Sequence, residues 1–144
     1  MLLEFLFSAD GRVNRWRYWL FGVLSGVVLA LASAASLALL FAAGGGLFAV
    51  PIGVLLLIFS LAMAYAANVL TIKRLHDRDK SGWWSILFLW LPLALGYSSS
   101  DDFGTDLLLG LAEVVITTWA GLELGCRRGT RGPNQYGPDP LASG

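Results

Sequence analysis

Cysteine and histidine occur once each in this 144-residue chain, and charge is scarce. The lone cysteine, Cys126, has no partner for an intrachain disulfide and no metal-ligand spacing around it, so this chain alone builds neither an oxidised scaffold nor a zinc site. Cys126 reads as a small filler. Charged residues make up 14% of the sequence, where a soluble domain carries about a quarter, while hydrophobic residues reach 56%. Lipid is the solvent that accommodates such an apolar surplus. The formal net charge of zero argues on average against nucleic acid or an acidic partner, but the average conceals a strong segregation of charge along the chain.

What the sequence does contain is four apolar stretches. The first covers residues 18–41 and the second 47–72; at ~1.5 Å rise per residue each crosses a ~30 Å hydrocarbon core with some tilt. Gly44, Gly45 and Gly46 interrupt the run between them, where a backbone without side chains reverses readily, and a helical hairpin is expected. The third stretch, 83–97, is short and contains Pro92, so taken alone it fits a re-entrant or interfacial segment as well as a span. The fourth, 107–125, is long enough but carries Glu113 and Glu123. Ala32-Ser33-Ala34 matches the small-x-small pattern of a signal-peptide cleavage site. No polar segment precedes it and the apolar run continues past it, so the first stretch is read as a retained span.

Charge decides the third stretch. With four spans, Arg12, Arg15 and Arg17, then Lys73, Arg74, Arg78 and Lys80, then Arg127, Arg128 and Arg131 all fall on one side, and these are all ten basic residues of the chain. The other side receives the glycine turn and the loop with Asp101, Asp102 and Asp106, as the positive-inside rule requires. The expectation is an all-α polytopic membrane protein with four transmembrane helices and both termini cytoplasmic. Residues 1–17 form a cytoplasmic N-terminal segment, 18–125 the membrane domain, and 126–144 a cytoplasmic tail rich in glycine and proline.

Small residues mark packing faces. Gly22, Gly26, Ala30, Ala34, Ala38 and Ala42 recur every fourth residue and form one stripe that lets another helix approach closely; Gly121 and Gly125, and Ala62 and Ala66, repeat the device. Such stripes serve packing within one chain or between copies in a homo-oligomer.

The residues that stand out for function gather on the basic side. Arg12-Val13-Asn14-Arg15-Trp16-Arg17-Tyr18-Trp19 interleaves cations with aromatics, which suits the headgroup zone and makes membrane lipids the expected partner. The same mixture binds single-stranded nucleic acid elsewhere, but this patch is small and abuts a span, so no nucleic-acid partner is expected. In the middle loop, Lys73 to Gly82, a continued second helix would make Lys73 and Asp77 i,i+4 neighbours and Arg74 and Asp77 i,i+3 neighbours. Ser81 or Asp79 would then cap the next helix, which starts at Trp83-Trp84. His76 titrates near neutrality but is adjacent to Asp77 in sequence, which on a helix points the two side chains apart.

With the loop and the tail in view, the chain resembles the small bacterial inner-membrane proteins grouped as domain of unknown function 805. The pattern reads here as Gly11-Arg12-Val13-Asn14-Arg15-Trp16-Arg17-Tyr18-Trp19, then Arg74-Leu75-His76-Asp77 with Ser81-Gly82-Trp83-Trp84, then Asn134-Gln135-Tyr136-Gly137-Pro138-Asp139-Pro140. The resemblance covers essentially the whole chain and implies an inner-membrane location, with no established activity. Arg78-Asp79 departs from the small or apolar residue and glycine common in the family, which makes the loop more charged and its turn geometry open. The resemblance favours a tail that folds back on the cytoplasmic mouth, with Tyr136 packing among Trp16, Trp19 and Trp83, and with Asp139 or Asp77 pairing with Arg12, Arg15 or Arg74.

Glu113 lies about two turns into the fourth stretch, with Thr117 one turn on and no basic residue inside any span to pair with it. Glu123, four residues before Arg127, is expected to form an i,i+4 ion pair. Three function classes follow. The first is a non-enzymatic interaction or scaffold protein whose Arg/Trp/Asp cluster engages lipid headgroups or a protein partner. The second is a small transporter or channel component using Glu113, and the third a lipid-headgroup enzyme with His76 and Asp77 as acid-base groups and the arginines as phosphate clamps. No metal cluster, phosphate-binding glycine loop or nucleophile motif supports the enzyme, and no cofactor is expected.

Overall fold

A computed structural model describes residues 2–41, 48–98 and 102–142, with side chains from Glu4 onward. The glycine turn at Gly44 to Gly46 and Asp101 lie outside the described residues. A short helix α1, Leu2–Phe7, precedes α2, Arg15–Phe41, and α3, Ala49–Asp77. The apolar helix α4, Ile86–Tyr97, opens with a π turn, Ile86–Trp90; α5, Phe103–Cys126, is α-helical to Ala120 and closes with a π turn, Gly121–Cys126. Among the described residues there is no strand, only one isolated bridge between Asn134 and Gly137.

All four apolar stretches are helical, but they are not equals. Arg15–Phe41, Ala49–Asp77 and Phe103–Cys126 are long and apolar enough to cross a membrane, whereas Ile86–Tyr97 is shorter. The wide turn of α4 sits directly before Pro92, whose ring has no N–H to donate and would crowd a regular α-helical carbonyl four residues back. At the start of α5, Asp102 accepts hydrogen bonds from the Thr105 backbone N–H at 2.8 Å and the Thr105 hydroxyl at 2.9 Å, an N-cap made from the acidic loop. α3 continues past residue 72, so Lys73, Arg74, His76 and Asp77 ride on a rigid helical extension.

The helices pair as two hairpins, α2 with α3 and α4 with α5. In the first, Ser36 donates to the Gly53 carbonyl at 2.9 Å, and a Cβ on Gly53 would fall 2.9 Å from Leu40 Cγ, so glycine permits this approach. The row in contact is Ala32, Ser36 and Leu40, two residues out of phase with the small-residue stripe. That stripe faces outward: Gly26, Ala30 and Ala34 are exposed, and a Cβ on Gly22 or Gly26 would meet nothing within 4 Å. Gly125, by contrast, is used within the chain, beneath the Trp19 indole, while Gly121 is open.

In the second hairpin Phe88 meets Trp119 edge-on at 5.0 Å. The two hairpins join at one end, where the last turn of α5 packs on α2 and α3. The buried cluster Leu75, Phe88, Ala120 and Leu124, flanked by Tyr18 and Leu87, lies there. All ten basic residues belong to the same end, carried by Arg12 and the start of α2, the end of α3 with the turn after it, and the chain that follows α5. Elsewhere large apolar side chains point outward, as at Leu31, Leu55 and Leu108.

Candidate functional site at the basic end

A helix leaves its last carbonyls without intrahelical donors, and α5 sharpens this by ending in a π turn. Side chains of α2 and α3 cap those carbonyls in succession. Arg74 Nε donates to Leu124 O at 2.7 Å, Trp19 Nε1 to Gly125 O at 3.1 Å, and Arg15 Nη1 to Cys126 O at 2.9 Å. Arg74 Nη2 then reaches Arg127 O, and Arg78 Nη1 reaches Arg128 O. Three arginines and a tryptophan thus hold five consecutive carbonyls, three in the last turn of α5, where its dipole favours positive charge, and two in the extended chain that follows.

Asp77 ties this row to the N-terminal segment. Its carboxylate accepts from Arg12 Nε at 3.1 Å and Arg12 Nη2 at 3.0 Å, and pairs with Arg74 Nη1. Side chains of Arg12 and Arg74 are 1% and 0% exposed. Burial pushes the Asp77 carboxyl upward and the Arg74 and Arg12 guanidiniums pull against it, so its charge depends on both. Arg12 goes on to bond the carbonyls of Thr130 at 2.6 Å, Gly132 at 2.7 Å and Gly137 at 3.3 Å. A Cβ on Gly129 would collide with the Asp77 carboxylate, which makes glycine obligatory where the tail crosses it.

The tail is docked. The Thr130 N–H donates to Asp77 O at 2.8 Å, and Asn134 Nδ2 donates to His76 O at 2.9 Å. Asn134 and Gly137 exchange backbone hydrogen bonds at 3.1 Å, with Gly137 at φ 133°. Tyr136 stacks flat on His76 with ring centres 3.8 Å apart, so its partner is not the tryptophan group of Trp16, Trp19 and Trp83. Asp139 does not reach Arg12, Arg15 or Arg74 by hydrogen bond; its carboxylate accepts from the Leu141 and Gly132 N–H groups, which hold it below the usual range. His76 Nδ1 lies 3.3 Å from Gly11 O, and burial lowers its affinity for protons, opposed by that carbonyl and by Asp10.

Other residues singled out from sequence divide between inside and rim. A Cβ on Gly82 would lie 2.9 Å from Ile72 Cγ2, and Ser81 Oγ accepts from the Trp83 N–H at 3.4 Å, opening the turn into α4. Asp79 does not cap; it turns the chain at φ 56°, in the left-handed region that glycine adopts most readily. Trp84 stacks with Phe88 at 5.7 Å and carries Lys80 over its ring at 4.5 Å. Trp83 points outward. Buried Glu123 pairs with Arg127 at 2.8 Å and also with Arg78 at 3.4 Å and Lys80 at 3.8 Å. Lys73 is not paired with Asp77; its ammonium donates to Phe5 O of α1 at 2.8 Å, over the Phe5 ring. Glu113 sits far from this network, against Gly96 of α4.

Thr130 and α1 were not singled out from sequence. Arg78 lay in view as one charge among several, but the carbonyl it reaches is fifty residues away.

Residues 6–138 match the family described as "Protein of unknown function (DUF805)". Among curated relatives, the Escherichia coli K12 "Uncharacterized protein YiiR" is 28% identical over 94% of this chain and 88% of its own length. "Inner membrane protein YhaI" of the same organism is 31% identical over 67% of this chain and 83% of its own length. "Inner membrane protein YhaH" is 28% identical over 90% and 84%. No solved structure matches the chain.

Proposed function

The chain belongs to the DUF805 family, a family of inner-membrane proteins without an assigned activity, and from that premise we propose that it works as a non-enzymatic platform at the inner face of that membrane. Four crossings, with Ile86–Tyr97 as the short third one, and two cytoplasmic termini belong to this reading; the gathering of all ten basic residues at one end supports them. Residues 1–17 and 126–144 are then its cytoplasmic segments.

The observation that carries the proposal is the saturation of the buried cluster. Arg12 and Arg74 direct their donors to backbone carbonyls and to Asp77, and His76 is stacked against Tyr136, so the groups an enzyme would use on a phosphate are committed to holding the tail. What remains outward is a rim: exposed Trp16, Trp19 and Trp83 at headgroup height, with exposed Arg17, Arg128 and Arg131 around them. That ring suits anionic headgroups or an acidic protein surface. The outward stripe Gly22, Gly26, Ala30, Ala34 adds self-association to the reading.

Native mass spectrometry of the protein extracted in its own lipid patch tests this. Anionic lipid, a protein, or further copies are expected to remain at fixed stoichiometry, and Arg17→Gln with Arg128→Gln and Arg131→Gln should strip the lipid or protein. A small molecule turned over by the wild type, and not by a folded His76→Ala variant, would replace this reading with the enzyme.

A further inference from the structure

The hairpin α4–α5 carries a second feature, which starts at Phe88 beside the buried cluster and runs away from the basic end to Gly96 and Glu113. Between its helices runs a cavity of about 460 Å³, within the size range of small-molecule sites, walled by Phe88, Leu93 and Tyr97 and carrying the polar groups of Glu113 and Thr117. Gly96 faces the acid, and a Cβ there would lie 3.3 Å from both Glu113 carboxylate oxygens, so the missing side chain leaves the carboxylate open to the groove. Among the described residues no hydrogen bond or ion pair reaches Glu113.

Charge complementarity limits the occupant. Every lysine and arginine of the chain, and its one histidine, lies outside the apolar stretches, so neither this chain nor a second copy brings a basic side chain to Glu113 within the membrane. An ionisable group at that depth calls for a partner. We propose that the groove binds a lipophilic organic monocation arriving from the membrane. Glu113 supplies the counter-charge and the Thr117 hydroxyl a polar contact, while Phe88, Leu93 and Tyr97 receive the apolar body, with the aromatic faces favouring a cation. The site shares Phe88 with the buried cluster but none of the arginines that hold the end of α5, and it does not depend on what the rim binds.

The test is equilibrium binding of radiolabelled tetraphenylphosphonium to the full chain in phosphatidylcholine nanodiscs. Its charge is permanent, so the readout carries no titration of the ligand. Saturable binding at one site per chain is expected, weakened by roughly tenfold or more in Glu113→Gln because the Coulomb attraction of the carboxylate is lost, partly kept in Glu113→Asp and blocked by Gly96→Leu. Neutral triphenylphosphine oxide, which lacks the charge, should bind the wild type at least roughly tenfold more weakly. Absence of saturable binding, wild-type affinity in Glu113→Gln, or equal binding of the neutral compound would each overturn the proposal. Should Glu113→Gln lose its helical circular dichroism, the neutral compound on the wild type, together with Gly96→Leu, decides it.

Discussion

At the basic end, the helices are held by directional polar bonds between segments far apart in sequence; away from it, α2 and α3 meet through Ala32, Ser36 and Gly53 while their other faces turn outward. The difference follows from the solvent. Lipid supplies no hydrophobic drive between apolar helices, so close packing and polar contacts must define the arrangement. Here the polar contacts are concentrated where the chain leaves the membrane, and the arrangement of the two hairpins rests on that one end.

The largest test of this contrast is Arg74→Ala set beside Leu31→Ala. Removing Arg74 strips two carbonyl caps and leaves Asp77 buried with one partner, at a cost of about 3–5 kcal/mol, whereas outward Leu31 is worth within about 0.5 kcal/mol. Unfolding in mixed micelles titrated with dodecyl sulfate measures both, and equal losses would break the comparison. Arg74→Lys should recover little, because an ammonium cannot span the same acceptors.

Gly129→Ala comes next, at about 1–3 kcal/mol, since the added methyl meets the Asp77 carboxylate. It should be read as faster protease release of the tail from inside-out membranes, with the helices intact.

The pH dependence is smaller and its sign is fixed by burial. The docked state holds His76 below the ordinary histidine range, with Gly11 O and Asp10 opposing and Tyr136 over the ring, while release of the tail restores ordinary proton affinity. The undocked state therefore binds more protons, and docking is full above about pH 6.5 and weakens as pH falls through that range. Protease release should speed up between about pH 7.5 and 5.5 in the wild type and lose that dependence in His76→Gln. Asp139, held low by the Leu141 and Gly132 N–H groups, gives way only below the ordinary carboxylate range, so the two losses separate along the pH axis.

Smallest is Asp79→Gly, expected to stabilise by about 0.5–1 kcal/mol because the residue stands at φ 56°. A destabilised variant would mean that the contact of Asp79 Oδ1 with Gln135 at 3.4 Å outweighs the backbone.

Much of the helical layout was legible because apolar run length reports helices in lipid directly, and the grouping of Arg12, Arg74, Asp77 and the tail followed from the motifs. The partners within that group were not legible. Tyr136 chose His76 over the tryptophans because Asn134 and Thr130 anchor the tail on the end of α3, a geometry set by backbone groups that a sequence does not distinguish. The outward orientation of the Gly22–Ala34 stripe was equally hidden: a neighbouring row, Ala32–Ser36, has the same spacing and won the contact. α1 was passed over because six residues carry little periodicity, and its anchor is the ammonium of Lys73.

The capped row at the end of α5 also has a meaning in time. Arg15, Trp19, Arg74 and Arg78 are made early, yet the carbonyls they cap belong to residues 124–128, and those that Arg12 binds reach to Gly137. During synthesis, these donors therefore exist before their acceptors do, and the bonds close only after the final stretch has been made. A chain interrupted before that point keeps the pairing of Asp77 with Arg12 and Arg74 but leaves Arg15, Arg74 and Arg78 without their carbonyl acceptors, so the arrangement of the helices is sealed only when residues 124–137 are in place.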